Sequence, residues 1–310
     1  MASIVTLSAT AASAGLSLLL RVPCWEGRVA AVFRTSILCI GPQEHLLHLH
    51  GGPRLVSPFS LRLEGTLIGM IQENRLVAGM PVCKTGGYLE IPGCIRLRIG
   101  AVAYYYSPCG VAGAVDPRTL RLAAQILSRT GRPGGFIAMP GSQAVTAAIR
   151  GALVHTRPDQ ILDAARRIIG LGAGLTPSGD DFLVGCLRGL WLMAPGQTWE
   201  QDLLCQLRTA LLPDLEDRTT CVGAEFIRRA LSGEFAEVLD QAAMALIDPV
   251  HTQTVASAVG QLLAQGETSG TDTTRGLLTC LDALLYRHRR PQVKRCQSGI
   301  SCARAFTTTP

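Results

Sequence analysis

The chain has 310 residues, of which 47% are hydrophobic and 17% charged, and its formal net charge is +6. Average soluble chains carry about 25% charged residues, so this composition excludes an intrinsically disordered protein and indicates a large core or a buried subunit interface. At roughly 150 residues per domain, the length predicts two domains.

The positive charge is concentrated at the C-terminal end. Residues 287–310 contain six basic residues and no acidic one: Arg287, Arg289, Arg290, Lys294, Arg295 and Arg304. Without them, 23 basic residues balance 23 acidic ones. A nucleic-acid-binding protein needs a basic face with interleaved aromatic residues, and only 5% of this chain is aromatic. The pattern therefore predicts a neutral body, no nucleic-acid partner, and a basic disordered tail over 289–310.

The N-terminal segment, 1–27, contains no charge before Arg21, so it lacks the basic start of a secretory signal. Its Ser and Thr content also makes it too polar to span a bilayer. The eleven cysteines form no CxxC pair and no metal-binding spacing with His. These features predict a cytoplasmic protein with no membrane partner, no metal and no cofactor. The cluster of His45, His48 and His50 favours the surface of an edge strand over a metal site.

Two periodicities divide the rest of the chain. Between 28 and 111, short apolar runs separated by Gly and Pro predict strands over 29–33, 37–40, 46–49, 59–63, 67–71, 95–99 and 101–106. Between 112 and 288 the apolar spacing is helical, and it predicts nine helices from Asp116 onward. We expect an α+β fold, with a mostly antiparallel β domain over 28–111 followed by an all-helical domain over 112–288.

The most unusual stretch is a glycine-rich loop that leads into a helix, GLGAGLTPSGDDFLVG over 170–185. Ser178 and Asp181 have the spacing of a capping box, with Ser178 as the N-cap. The free amides of the loop and of the first helical turn can bind an anion, although the two acidic residues already occupy the positive helix end. The loop has no Walker A lysine.

A second loop, Ser269 to Gly276, repeats the Ser-Gly-x-Asp-x-x-x-Gly spacing of Ser178 to Gly185. One interpretation is structural, namely two capped helices that cross near Gly185 and Gly276. The other is a pair of polar loops that meet to form one site. A third loop, Arg218-Thr219-Thr220, precedes a helix and combines a guanidinium group with two hydroxyls, which favours a helix cap but is also suited to anion binding.

The glycine-rich motif closely resembles the signature of the family that includes the AllH subunit of oxamate carbamoyltransferase. The resemblance extends to Arg218-Thr219-Thr220, to the segment from Gly266 to Gly276, and more loosely to Gly52-Pro53 and Pro58-Phe59-Ser60. Two positions depart from the family pattern, because Gly223 stands where Ser is expected and Glu267 where His is expected.

The resemblance implies a subunit of a complex that interconverts oxalurate plus phosphate with oxamate plus carbamoyl phosphate, in the anaerobic breakdown of allantoin and purines. Other subunits of the complex and these small molecules would be its partners. The candidate catalytic residues are Asp180, Asp181 and Asp272. The candidate substrate- or anion-binding residues are Gly172, Gly174, Thr176, Ser178, Gly179, Arg218, Thr219, Thr220, Ser269 and Gly270. The alternative is a non-catalytic assembly or small-anion-binding subunit.

Overall fold

The computed structural model describes residues 4–52, 55–73, 75–109, 114–247 and 252–289. Nine strands form one sheet: β1 (Val5–Ser13), β2 (Cys24–Val32), β3 (Ser36–Ile40), β4 (Leu46–Gly51), β5 (Ser60–Leu63), β6 (Pro81–Thr85), β7 (Tyr88–Ile91), β8 (Ile95–Arg98) and β9 (Ala103–Tyr105). The strand order is β5-β4-β3-β2-β6-β7-β8-β1-β9, and an additional pairing of β1 with β5 closes the sheet on itself.

Alternating side chains place the core inside this closed sheet. In β8, Ile95 and Leu97 are buried whereas Arg96 and Arg98 are exposed, as the alternation predicts. Six of the nine strand pairs are antiparallel, and β1 with β8, β1 with β9, and β4 with β5 are parallel. The prediction of a mostly antiparallel β region followed by helices is therefore confirmed.

Several strand assignments differ from the sequence prediction. The sheet begins at Val5, inside the segment 1–27 that was predicted to precede the β domain. The strand was not predicted because the Ala-rich β1 has little of the usual strand pattern. Residues 67–71, predicted as a strand, form most of the short helix α2 (Ile68–Gln72). The strand β4 lies between β3 and β5 rather than at an edge, so His50 is buried in the sheet.

The chain forms twelve described helices. Two are in the β region, α1 (Ser17–Arg21) and α2, and ten follow it: α3 (Pro117–Thr130), α4 (Ser142–Val154), α5 (Pro158–Ile168), α6 (Ser178–Met193), α7 (Thr198–Leu211), α8 (Leu215–Arg218), α9 (Cys221–Leu231), α10 (Glu237–Ala245), α11 (Thr252–Leu263) and α12 (Ser269–Arg289). Most of α6 and α12 is buried, which makes this pair the centre of the helical region.

The close crossing of α6 and α12 depends on two glycines. A Cβ atom at Gly185 would lie 2.0 Å from the carbonyl oxygen of Thr273, and one at Gly276 would lie 1.9 Å from that of Phe182. Each glycine thus lets the backbone of the other helix pass at contact distance. The predicted crossing near these two residues is confirmed.

The β and helical regions are joined by polar contacts as well as by apolar packing. Val56 donates its backbone N–H to Glu237 Oε2 at 3.0 Å, and Phe59 packs against Phe226 with 4.8 Å between ring centroids. Deeper inside, Asp240 accepts hydrogen bonds from Tyr105 at 2.8 Å and from Arg188 Nε at 2.6 Å. Because Arg188 and Asp240 are both fully buried, this pair holds β9 against α6 and α10.

The basic C-terminal end is partly built into the fold. Arg287, which the charge count assigned to the tail, pairs with buried Glu200 at 2.5 Å and lies 4.2 Å over the ring of Trp199. The helix α12 continues to Arg289, so the predicted tail does not begin at 289. Residues 290–310, Pro53, and the predicted domain boundary at 111–112 lie outside the described residues, and the division into domains stays a prediction.

We expect Gly185→Ala to lower the free energy of unfolding by roughly 1–3 kcal/mol or more, because the new Cβ overlaps the backbone of α12. The control is Gly260→Ala in α11, where a Cβ would meet nothing within 4 Å. That change should stabilise the protein by up to about 1 kcal/mol through helix propensity. Urea unfolding of both variants measures the difference. Equal midpoints for the two variants would contradict the proposed role of the crossing.

Candidate functional site

The crossing of α6 and α12 brings the two Ser-Gly-x-Asp loops together. The hydroxyl oxygens of Thr176 and Ser269 lie 3.2 Å apart, although the residues are 93 positions apart in the sequence. Each loop follows a helix that ends beside it, α5 for the first and α11 for the second. The two helix–loop–helix units are therefore packed against each other at their loops.

The bonding between the units is reciprocal. The hydroxyl of Ser269 on α12 interacts with Asp181 of α6 and lowers the pKa of that carboxyl, and the hydroxyl of Ser178 on α6 does the same for Asp272 of α12. The glycine after each serine is equally constrained. A Cβ at Gly179 would lie 1.9 Å from the carbonyl oxygen of Ile168, and one at Gly270 equally close to that of Leu262. The repeated sequence spacing thus corresponds to an approximate two-fold arrangement of the two units.

This reciprocity corrects the capping-box prediction. The N-cap of α6 is Pro177, which makes no side-chain cap bond, and Ser178 is the first residue of the helix. Its hydroxyl lies across the crossing beside Asp272, whose pKa it lowers, and α6 has no side-chain cap bond. The spacing from Ser178 to Asp181 therefore reflects contacts between helices, which a single helix cannot reveal.

Asp180 and Asp181 have different surroundings because neighbouring helix residues point about 100° apart. Asp180 is 1% exposed, accepts the backbone N–H of Gly170 at 2.7 Å, and accepts the hydroxyl of Thr219. Burial raises its pKa, whereas these two hydrogen bonds lower it. A Cβ at Gly223 would lie 2.2 Å from Asp180 Oδ2, so this glycine leaves room for the carboxyl group in its present position. Asp180 therefore ties the glycine-rich loop to the loop before α9.

Asp181 faces a cavity of about 240 Å³ between the helices and the β region. We call it the Asp181 cavity. Its polar lining comes from both loops and from other elements, and its lining residues include Ser57, Pro58, Thr176, Asp181, Phe226, Glu234, Phe235, Gln265, Ser269 and Thr273. The only charged side chains in this lining are Asp181 and Glu234. Glu234 pairs with Arg229 at 3.0 Å, which leaves Asp181 as the carboxyl group without a cationic partner.

The state of Asp181 suits proton exchange near neutral pH. The pKa of Asp181 is raised to about 7, chiefly by burial; the hydroxyls of Ser269 and Thr176 oppose this rise, and the nearby carboxylates of Asp272 and Asp180 add to it. Its Oδ2 atom is buried and has no hydrogen-bond partner among the described residues. A carboxyl group of this kind can accept a hydrogen bond from a bound N–H group or transfer a proton to it.

Asp272 occupies the equivalent position on the other side of the crossing. It is fully buried, and its Oδ1 atom accepts the backbone N–H of Phe136 at 3.0 Å. Burial raises its pKa, while hydrogen bonds from Phe136, Ser178 and Thr268 lower it. Asp272 does not line the Asp181 cavity. The segment Gly135–Ala138 covers it, so the two aspartates of the repeat differ in their access to a ligand.

The remaining predicted site residues lie away from the cavity. Gly172 and Gly174 are in an exposed turn with φ values of +122° and +96°. Arg218 is exposed, and its nearest carboxylate is Asp214 at 3.7 Å. Thr220 caps α9 by accepting the backbone N–H of Gly223 at 2.9 Å. The cap interpretation of this third loop is therefore confirmed for Thr220, and a role of Arg218 in anion binding stays a prediction.

Other elements supply part of the cavity lining, and no sequence motif pointed to them. Ser57, Glu234 and Gln265 line it, yet none of them lies in the motifs singled out above. Pro58 belongs to the loosely matching segment before β5, which was the only signal from the β region. Among the described residues, no group of His, Cys, Asp and Glu is arranged to hold a metal ion, and no helix is long and apolar enough to cross a membrane.

Residues 168–281 match the sequence model of a protein family described as oxamate carbamoyltransferase subunit AllH. The resemblance to the AllH family is confirmed. The matched segment contains all three motif loops and the crossing of α6 with α12, and the β region lies outside it. No solved structure matches the chain. The AllH description supports a carbamoyltransferase-associated subunit, and thus one member of a complex of several subunits.

The raised pKa of Asp181 predicts a pH-dependent stability. Its value of about 7 exceeds the ordinary value of 3.8, so the folded chain holds this proton to higher pH than the unfolded chain does. The free energy of unfolding therefore falls as pH rises from about 4 to about 7, and this effect is complete above that range. Asp181→Asn removes the free-energy cost of ionising this buried carboxyl group. It should therefore stabilise the protein by about 1–3 kcal/mol at pH 8, but by little at pH 4.

Urea unfolding across this pH range measures the effect of Asp181→Asn. The matched control is Asp202→Asn, an exposed carboxyl on α7, which should change stability little at either pH. If Asp181→Asn has the same effect at pH 4 and pH 8, Asp181 does not titrate in the way described.

Proposed function

We propose that this AllH-like chain is the substrate-binding subunit of a carbamoyltransferase complex of the oxamate carbamoyltransferase type. The complex would interconvert oxalurate plus phosphate with oxamate plus carbamoyl phosphate. In this proposal the Asp181 cavity holds the carbamoyl or amide end of the substrate. We also infer a cytoplasmic role in allantoin and purine breakdown, in keeping with the family description.

The observation that carries the proposal is the place of Asp181 in the cavity lining, since its carboxyl group has no cationic partner there and its Oδ2 atom has no hydrogen-bond partner among the described residues. Oxalurate, oxamate and carbamoyl phosphate all carry an –NH₂ group, and a carboxylate is a strong acceptor for such a donor. The hydroxyls of Thr176 and Ser269 stand beside Asp181, and their oxygen lone pairs can accept a hydrogen bond from the same –NH₂ group. The volume of about 240 Å³ accommodates a group of a few heavy atoms.

The charge of the lining determines which end of the substrate can enter. Both charged lining residues are acidic, so a carboxylate or phosphate inside the cavity would be repelled. The neutral carbamoyl end is therefore the end that fits, and the anionic end would face the opening or a partner subunit. The predicted anion-binding role of the glycine-rich loop and Arg218 would then operate outside the cavity.

The reaction needs a proton at the leaving nitrogen. When a phosphate oxygen attacks the carbamoyl carbon of oxalurate, the C–N bond breaks and the nitrogen of oxamate must gain a proton. Protonated Asp181 can donate it. The attacking hydrogen phosphate approaches the carbamoyl carbon from the opening of the cavity and releases the proton that restores Asp181. A pKa of about 7 suits both steps near neutral pH. In this scheme Asp180 and Asp272, predicted as catalytic, act by holding the loops.

The second candidate is a non-catalytic assembly subunit. It is favoured by the reciprocal bonding of Ser178, Asp272, Ser269 and Asp181, which packs the two units together without any ligand. Under this candidate the complex needs the fold of the chain but not the carboxyl group of Asp181. The two candidates differ in what a conservative change at Asp181 does to an intact complex.

We expect Asp181→Asn to lower the activity of the assembled complex by about 10²-fold or more, because the asparagine cannot transfer the proton. The complex, co-purified with its partner subunits, is assayed for carbamoyl phosphate formed from oxalurate and phosphate. Size-exclusion chromatography checks that the variant assembles normally. Asp202→Asn is the control and should retain full activity. An assembled Asp181→Asn complex with unchanged activity would favour the assembly subunit.

A further inference from the structure

A second concave surface lies on the opposite side of the α6–α12 pair, between α4, α12 and the segment Gly135–Ala138. It has a volume of about 360 Å³, and we call it the Arg275 groove. Its lining residues are Phe136, Ile137, Ser142, Gln143, Thr146, Ala147, Arg150, Arg275 and Thr279. The only charged side chains in this lining are Arg150 and Arg275, so its charge is opposite to that of the Asp181 cavity.

The guanidinium group of Arg275 lacks an ion-pair partner. Its Nε–H group is buried and donates to no partner within the described residues, where no hydrogen bond or salt bridge of this side chain occurs. The charge of Asp272 acts on this group without a hydrogen bond to it; Asp272 Oδ1 accepts the backbone N–H of Phe136, and its Oδ2 atom has no partner among the described residues. A half-buried cation without a hydrogen-bonded counterion is costly, and a bound anion would remove that cost.

The other hydrogen-bond donors of the groove come from one face of α4 and one face of α12. Gln143, Thr146 and Arg150 are spaced three and four residues apart on α4, which places them on one face of that helix. Arg275 and Thr279 are one turn apart on α12 and face the same groove. Arg150 pairs with Asp282 at 2.9 Å near the outer end, so Arg275 is the free cation of this lining. The first turn of α4 adds its positive end at Ser142 and Gln143.

We propose that the Arg275 groove binds an oxyanion, a phosphate or carboxylate group held by the fork of Arg275 and by the hydroxyl of Thr279. A guanidinium group forms two parallel hydrogen bonds with either kind of oxyanion. Phe136 and Ile137 form apolar walls that exclude water from one side of the bound group. This site is separate from the Asp181 cavity and does not depend on the proposed carbamoyl transfer.

The test is calorimetric titration of the full chain with inorganic phosphate and, separately, with acetate, at constant ionic strength. Arg275→Gln should raise the Kd for the bound anion by at least about tenfold, because charge-assisted hydrogen bonds are lost. Arg121→Gln, which changes an exposed arginine on α3, is the matched control and should leave the Kd within about twofold. Binding of phosphate alone, of acetate alone or of both supports the proposal and identifies the preferred class.

Two further variants keep the test valid if Arg275→Gln folds poorly. Arg275→Lys retains the charge but cannot form two parallel bonds, so its Kd should lie between those of the parent and Arg275→Gln. Thr279→Val removes one hydroxyl without changing the charge and should weaken binding several-fold. Saturable binding that is equally strong in all three variants, or no saturable binding of either anion by the parent chain, would overturn the proposal.

Discussion

The structure depends on the direct backbone contact between α6 and α12. Gly185 and Gly276 lie at this contact, and each leaves room for a carbonyl group of the other helix. With larger residues the helices would separate, and the hydroxyls of Thr176 and Ser269 would no longer be 3.2 Å apart. Every feature of the candidate site, including the environment of Asp181, follows from this short distance.

The close contact also explains why so many polar groups are tolerated at the centre of the helical region. Thr271, Asp272, Thr273 and Thr274 are buried at the start of α12, where unpaired polar groups would be costly. Backbone groups satisfy much of this demand. Thr274 donates to the carbonyl oxygen of Gly270 at 2.6 Å, and Thr271 and Asp272 accept the backbone N–H groups of Arg132 and Phe136, both at 3.0 Å. Because each unit completes the other, the two Ser-Gly-x-Asp sequences are best understood as one arrangement used twice.

The two surfaces beside the α6–α12 pair differ in charge, although the two helices begin with the same Ser-Gly-x-Asp sequence. On one side the β region and α9 leave Asp181 open to an acidic cavity. On the other side the segment Gly135–Ala138 covers Asp272, and Arg275 gives the neighbouring groove a positive charge. A complex that handles a neutral carbamoyl group and an oxyanion would require both kinds of surface, which suits a carbamoyltransferase-associated subunit.

The sequence alone determined the order of β and helical regions, the three motif loops and the resemblance to the AllH family, because these depend on local periodicity and spacing. It offered the crossing at Gly185 and Gly276 only as one of two interpretations, and it could not show that Ser178 lies beside Asp272 instead of capping its own helix. The sequence also could not separate the role of Asp180 from that of Asp181, or show that Glu234 and Gln265 line the same cavity as Asp181. Likewise, it could not show that Arg287 belongs to the folded part of the chain. Those outcomes depend on which distant segments meet, and only the tertiary structure decides whether a carboxyl group is buried, bonded or open to a ligand.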